Sequence, residues 1–135
     1  MAKIDGLAHI GLFIADIERS KKFYEEVLEF KTDYECALDE ADGTSTKIAF
    51  LKNGNLTIEL VQTANPQKRA DGWIDHIALR VENIEAVRDT LLSRGVKFET
   101  DDITYASVVY PKGSKWILFR GPDNEHLEIT EVMKY

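Results

Sequence analysis

Residues 8–28, AHIGLFIADIERSKKFYEEVL, lie in register over residues 75–95, DHIALRVENIEAVRDTLLSRG, and this match decides the fold. His9 meets His76, Ile10 meets Ile77, Leu12 meets Leu79, Ile17 meets Ile84 and Glu18 meets Glu85, each pair 67 residues apart. Asp16 falls on Asn83, a chemically similar residue. Further on, residues 50–60, FLKNGNLTIEL, run without a gap over residues 119–129, FRGPDNEHLEI, setting Phe50 over Phe119 and Glu59 over Glu128 at an offset of 69. Repetition at a nearly fixed spacing signals one supersecondary unit used twice.

Each half opens with an alternating apolar segment and passes into a helix at a residue suited to capping free N–H groups, Asp16 or Asn83. Ile17, Phe23, Tyr24, Val27 and Leu28, and then Ile84, Val87, Leu91 and Leu92, form one apolar stripe at helical period, which predicts core faces. Short runs of strand character follow: roughly 30–36, 47–51 and 56–61 in the first half, and 97–100, 116–119 and 126–132 in the second. Asn53-Gly54-Asn55 and Pro122-Asp123-Asn124 read as matching hairpin turns. The plan is α+β, βαβββ twice, within a single domain over 1–135. Module one covers about 1–62, a polar linker with Pro66 about 63–72, and module two about 73–135.

A formal charge of −7 would repel phosphate backbones and anionic lipid, so nucleic acid and membrane are not expected partners. No apolar run is long enough to span a bilayer, and the opening MAKIDGLAH lacks the apolar core of a signal peptide, so a cytoplasmic address is expected. Cys36 is the only cysteine, which excludes an internal disulfide and a thiolate zinc cluster.

Side chains alternate along a strand, so Ala8, Ile10, Leu12 and Ile14 share one face, and His9, Gly11 and Phe13 share the other. Likewise Ile77, Leu79 and Val81 should pack under the second helix, leaving His76, Ala78 and Arg80 opposite. In TIEL and HLEIT the aliphatic residues take the core, and Glu59 and Glu128 face away from it. Two imidazoles and two carboxylates related by a repeat form a mixed N/O donor set suited to Zn, Ni, Co, Mn or Fe(II). His126, two residues from Glu128 and so on the same strand face, is placed to touch a ligand from behind, but its repeat counterpart is Thr57, and it reads rather as a surface or rim residue.

The stretches HIGLFIADIERSKKFYEEVLEF, TIELVQ, DHIALRVENIEAVRDTLLSRGVKF and GPDNEHLEI resemble the glyoxalase, bleomycin resistance and dioxygenase (vicinal oxygen chelate) superfamily, closest to glyoxalase I. The resemblance implies paired βαβββ modules curled into an incomplete barrel around one divalent metal. Its ligands would be His9, Glu59, His76 and Glu128, within one chain or across a homodimer. It also implies proton transfer on a small-molecule substrate with vicinal oxygens, the hemithioacetal of a 2-oxoaldehyde such as methylglyoxal and a thiol cosubstrate. The reaction would pass through a metal-stabilised enediolate, with Glu128 as principal base and Glu59 as its counterpart. Related epimerases carry Gln where this chain has Glu59, and related dioxygenases use two His and one Glu.

Glutathione-using relatives commonly have Arg where this chain has Phe13, and Asn where it has Thr63, so the thiol need not be glutathione. Arg80, the repeat counterpart of Phe13, supplies a cation for a substrate carboxylate or phosphate. Lys112-Gly113 resembles a flexible active-site loop of glyoxalase I, with Trp116 as wall or lid. Two alternatives stay open: a metal-dependent epimerase or dioxygenase of the same superfamily, and a small-molecule- or drug-sequestering binding protein.

Overall fold

Ile10 and Leu12 are half-buried while Gly11 and Phe13 are exposed, the alternation that makes residues 10–13 a strand with one face on a core. A computed structural model describes Lys3 and residues 5–134. They divide into two compact units, Met1–Lys68 and Arg69–Tyr135.

In the first unit β1 (Ile10–Phe13) leads to helix α1 (Ile17–Lys22), which runs on into a π-type turn, Phe23–Val27. Three strands follow, β2 (Lys31–Asp39), β3 (Ser45–Asn53) and β4 (Leu56–Gln62). The sheet order is β1-β4-β3-β2, with β1 parallel to β4 and the other pairs antiparallel. The second unit repeats the plan with β5 (Ile77–Arg80), α2 (Ile84–Ser93), β6 (Thr104–Ala106), β7 (Ser114–Arg120) and β8 (His126–Val132), in the order β5-β8-β7-β6. The parallel pair needs a crossover, and the helix supplies it.

Both helices are capped where the spacing predicts. Asp16 Oδ1 accepts from Arg19 N at 3.1 Å, and Asn83 Oδ1 accepts from Ala86 N at 3.3 Å. The last strand of each unit adds a second clamp. Gln62 Oε1 accepts from Ile17 N at 2.7 Å, and the Glu131 carboxylate accepts from Asn83 N and Ile84 N, both at 3.1 Å. Those bonds satisfy N–H groups that no helix can satisfy internally. The buried core of the first unit includes Ile17, Tyr24, Ala49, Leu51, Ile58 and Leu60; that of the second includes Ile84, Leu91, Ile117, Phe119, Leu127 and Ile129. Leu92, expected in the apolar stripe, is instead about half exposed.

Two strand expectations need correction. Residues 97–100 make only one bridge, Phe98 to Phe119, because Thr100 Oγ1 turns back onto Asp102 O at 3.0 Å and ends the pairing. The edge strand forms later, at Thr104–Ala106. The gap-free alignment of Phe50 with Phe119 also fails. Phe50 pairs with Glu59, whereas it is Leu118 that pairs with Glu128. The first hairpin closes Asn53 on Leu56, while the second closes Arg120 on His126 over a longer loop. The resulting one-residue slip sends Phe119 to the core and Phe50 to the opposite face.

Candidate metal centre

Parallel pairing sets Gly11 beside Glu59 in one unit and Ala78 beside Glu128 in the other, with a histidine two residues before each small residue. His9 and His76 immediately precede their strands and keep to the faces that alternation assigns them. Nε2 of His9 lies 3.7 Å from Glu59 Oε1. A Cβ at Gly11 would sit 3.4 Å from Glu59 Oε1, in ordinary contact, and Ala78 holds the matching position in the other unit. The Phe50 ring meets the His9 ring edge-on, with centroids 5.4 Å apart.

In the second unit Nε2 of His76 lies 3.3 Å from Glu128 Oε2, and its Nδ1 is 2.9 Å from Asp75 Oδ2. With Nδ1–H donated to Asp75, the Nε2 lone pair would face a carboxylate oxygen, an arrangement that a cation between them would relieve. Burial pushes the Glu128 carboxyl up from its ordinary range, and His76 and His126 only partly offset this. Each unit thus sets one imidazole nitrogen against one carboxylate, donors that fit a divalent metal of borderline character.

His126 is not a rim residue: its side chain is 12% exposed, and its ring meets that of His76 at a 6.0 Å centroid distance. Its Nε2 lies 3.0 Å from Glu99 Oε1 and its Nδ1 lies 3.4 Å from Asp75 Oδ2. Both nitrogens are shielded from solvent, and neither contact is aligned as a hydrogen bond, so these are close charge contacts only. Arg120 reaches the same Glu99 oxygen at 3.1 Å and grips both oxygens of Asp71 at 2.6 and 2.9 Å. Ligand-type atoms of Asp71, Asp75 and His126 fall within 4.8 Å of one another. The Arg120 fork occupies Asp71, and the group reads as an ion-pair network beside His76. From the sequence only His126 stood out, on the strand face of Glu128; Asp71, Asp75, Glu99 and Arg120 did not, because they meet it only through the β7 and β8 pairing and the loops around it.

The other residues singled out from sequence are placed as follows. Phe13 ends β1, about half exposed, on the face of Gly11; Arg80 ends β5, exposed, on the face of Ala78. Among the described residues Arg80 has no ion-pair partner. Trp116 pairs with Thr130 and shares the face of Leu118 and Glu128. Thr63 follows β4, and Lys112 sits exposed in the turn before β7.

The family model described as the Glyoxalase/Bleomycin resistance protein/Dioxygenase superfamily matches residues 6–129. The chain belongs to that superfamily. It is 33% identical to an uncharacterised Bacillus subtilis protein, YwbC, over 91% of this chain and 94% of that one. It is 27% identical to the mitochondrial methylmalonyl-CoA epimerase of Mus musculus, over 74% of this chain and 59% of the epimerase. A crystal structure of a glyoxalase family protein from Enterococcus faecalis is similar with a TM-score of 0.75 and 26% identity, covering 94% of this chain and 98% of that one. The two four-stranded mixed sheets and their helices are the α+β, glyoxalase-like fold of the superfamily. Superfamily proteins bind divalent metal and small-molecule substrates, and many are enzymes. No helix among the described residues is long and apolar enough to cross a membrane.

Proposed function

We propose that this chain is a metal-dependent lyase or isomerase of glyoxalase I type, with His9, Glu59, His76 and Glu128 holding one divalent cation, within a chain or across a homodimer. The observation that carries the reading is the repeated pairing of one imidazole with one carboxylate, at 3.7 Å and 3.3 Å, on equivalent strands of two modules. When bound, the metal acts as a Lewis acid toward the substrate's vicinal oxygens.

Glu128 takes the proton from the carbon that bears the sulfur and hydroxyl, beside the carbonyl, and Glu59 returns a proton to the neighbouring carbon. A C–H bond breaks, another forms, and the hemithioacetal becomes a 2-hydroxy thioester with no oxidant consumed. Burial pushes the Glu128 carboxyl up, and the carboxylate with the higher pKa is the stronger base, which favours Glu128 for the first step. Phe13 and Thr63 stand where glutathione anchors are expected, so the thiol need not be glutathione. Arg80 then holds a substrate carboxylate or phosphate, and Trp116 walls the site beside Glu128.

The mouse relative favours a second reading, an epimerase acting by the same proton abstraction. Glu59, where the related epimerases carry Gln, weighs against it. The test is elemental analysis of protein purified without chelator, followed by methylglyoxal turnover with a panel of low-molecular-weight thiols. Thioester formation with bound metal supports the lyase, racemisation of an acyl-CoA supports the epimerase, and turnover unchanged after metal stripping overturns both.

A further inference from the structure

We propose that Asp75 is a positioning residue that locks His76 as its Nδ1–H tautomer and so makes the second His–Glu pair the tighter half of the centre. This rests on the metal reading above. Nδ1 of His76 and Oδ2 of Asp75 lie 2.9 Å apart, within hydrogen-bond distance. An imidazole that donates one nitrogen to a carboxylate presents the other as a fixed, more basic lone pair. Nε2 is the nitrogen left over, and it is the one aimed at Glu128.

The Asp75 side chain is 60% exposed, yet it has a second neighbour. Its Oδ2 also lies 3.4 Å from His126 Nδ1, and His126 packs on the His76 ring. His126 leads through Glu99 to Arg120, whose guanidinium is fixed by Asp71. The chain of contacts ties the orientation of His76 to β7 and β8, the strands that carry Glu128. The first unit has no counterpart: Ala8 stands at the repeat position of Asp75 and Thr57 at that of His126. His9 instead meets the edge of Phe50. A duplicated fold therefore carries ligand histidines held in two different ways.

The experiment uses Asp75→Ala, Asp75→Asn and the conservative Asp75→Glu in the full chain. In metal-free protein at about pH 8.5, above the ordinary imidazole range, long-range ¹H–¹⁵N correlation reads each ring's tautomer. His76 should be Nδ1–H in the parent and shift to the common Nε2–H form in Asp75→Ala, while His9 does not change. Competition with a chromogenic chelator should show Ni(II) or Mn(II) bound about 10- to 100-fold more weakly in Asp75→Ala, with Asp75→Glu recovering most of the loss. An Nε2–H His76 in the parent, or affinities equal within about twofold, overturns the proposal. Parent protein that binds no metal defeats the metal reading instead, and the tautomer measurement still decides the role of Asp75.

Discussion

Phe50 and Phe119 occupy matched positions in the sequence repeat, yet their replacement by alanine should have unlike consequences. Phe119 is fully buried, pairs with Leu127 across β7 and β8, and meets the Phe98 ring edge-on at 5.5 Å. Emptying such a site removes both transfer free energy and packing, about 3–5 kcal/mol for Phe→Ala. Set against a typical stability of about 5–15 kcal/mol, that is a large share of the total. Phe50 is only half-buried, with Glu59 as its cross-strand partner and the rings of His9 and Tyr34 as its neighbours. Its truncation should cost less than about 2 kcal/mol, part of the value for a fully buried side chain, while loosening His9 and weakening metal binding. Urea unfolding of the two variants with chelator present measures the difference as a shift in midpoint at unchanged slope. Equal losses, or a larger loss for Phe50→Ala, would refute the assigned register.

Three further outcomes follow from the same structure. Glu128→Gln and Glu59→Gln should each abolish turnover even in samples that keep their metal, because a carboxamide accepts no proton at neutral pH; steady-state kinetics on metal-quantified protein checks this. Glu131→Ala strips two N–H groups at the start of α2 of their acceptor and should cost about 1–2 kcal/mol, read from thermal melts. The pH dependence has two opposite signs. Asp71, held low by Arg120, stabilises the fold above its unfolded pKa and loses that contribution as pH falls through its lower folded value. Glu128, pushed up by burial, is the reverse: its penalty is absent in acid and grows as pH rises through its folded value. Metal-free Glu128→Gln should therefore be more stable than the parent at neutral pH, and Asp71→Asn less stable, with both differences vanishing in acid. Denaturant midpoints measured across pH would show the opposite slopes.

The sequence made much of this architecture legible. Alternation of period two around His9 and His76, Asp16 and Asn83 ahead of apolar stripes, and matched TIEL and HLEI segments are local signals, and they put the two histidines and two glutamates on the faces turned away from the core. The errors arose where locality ends. A two-phenylalanine match hid the longer hairpin of the second unit, because an alignment without gaps cannot register a one-residue change of face. Strand β6 was placed too early, since Val96 and Phe98 have the apolar pattern of a strand but Thr100 and Asp102 end the pairing. His126 read as peripheral because its neighbours, Asp75, Glu99 and Arg120, are remote along the chain and converge only once β5, β7 and β8 are assembled. Asp75 carried one signal, its position directly before a repeated histidine whose counterpart follows Ala8.

Calorimetric titration of chelator-treated protein with Ni(II) tests the proposal of one shared cation most directly, run on the parent and on His9→Ala and His76→Ala. One ion per chain in the parent, and loss of high-affinity binding in both variants, is the expected result. Two ions per chain, or affinity that survives removal of either imidazole, would mean that the two modules do not share one metal.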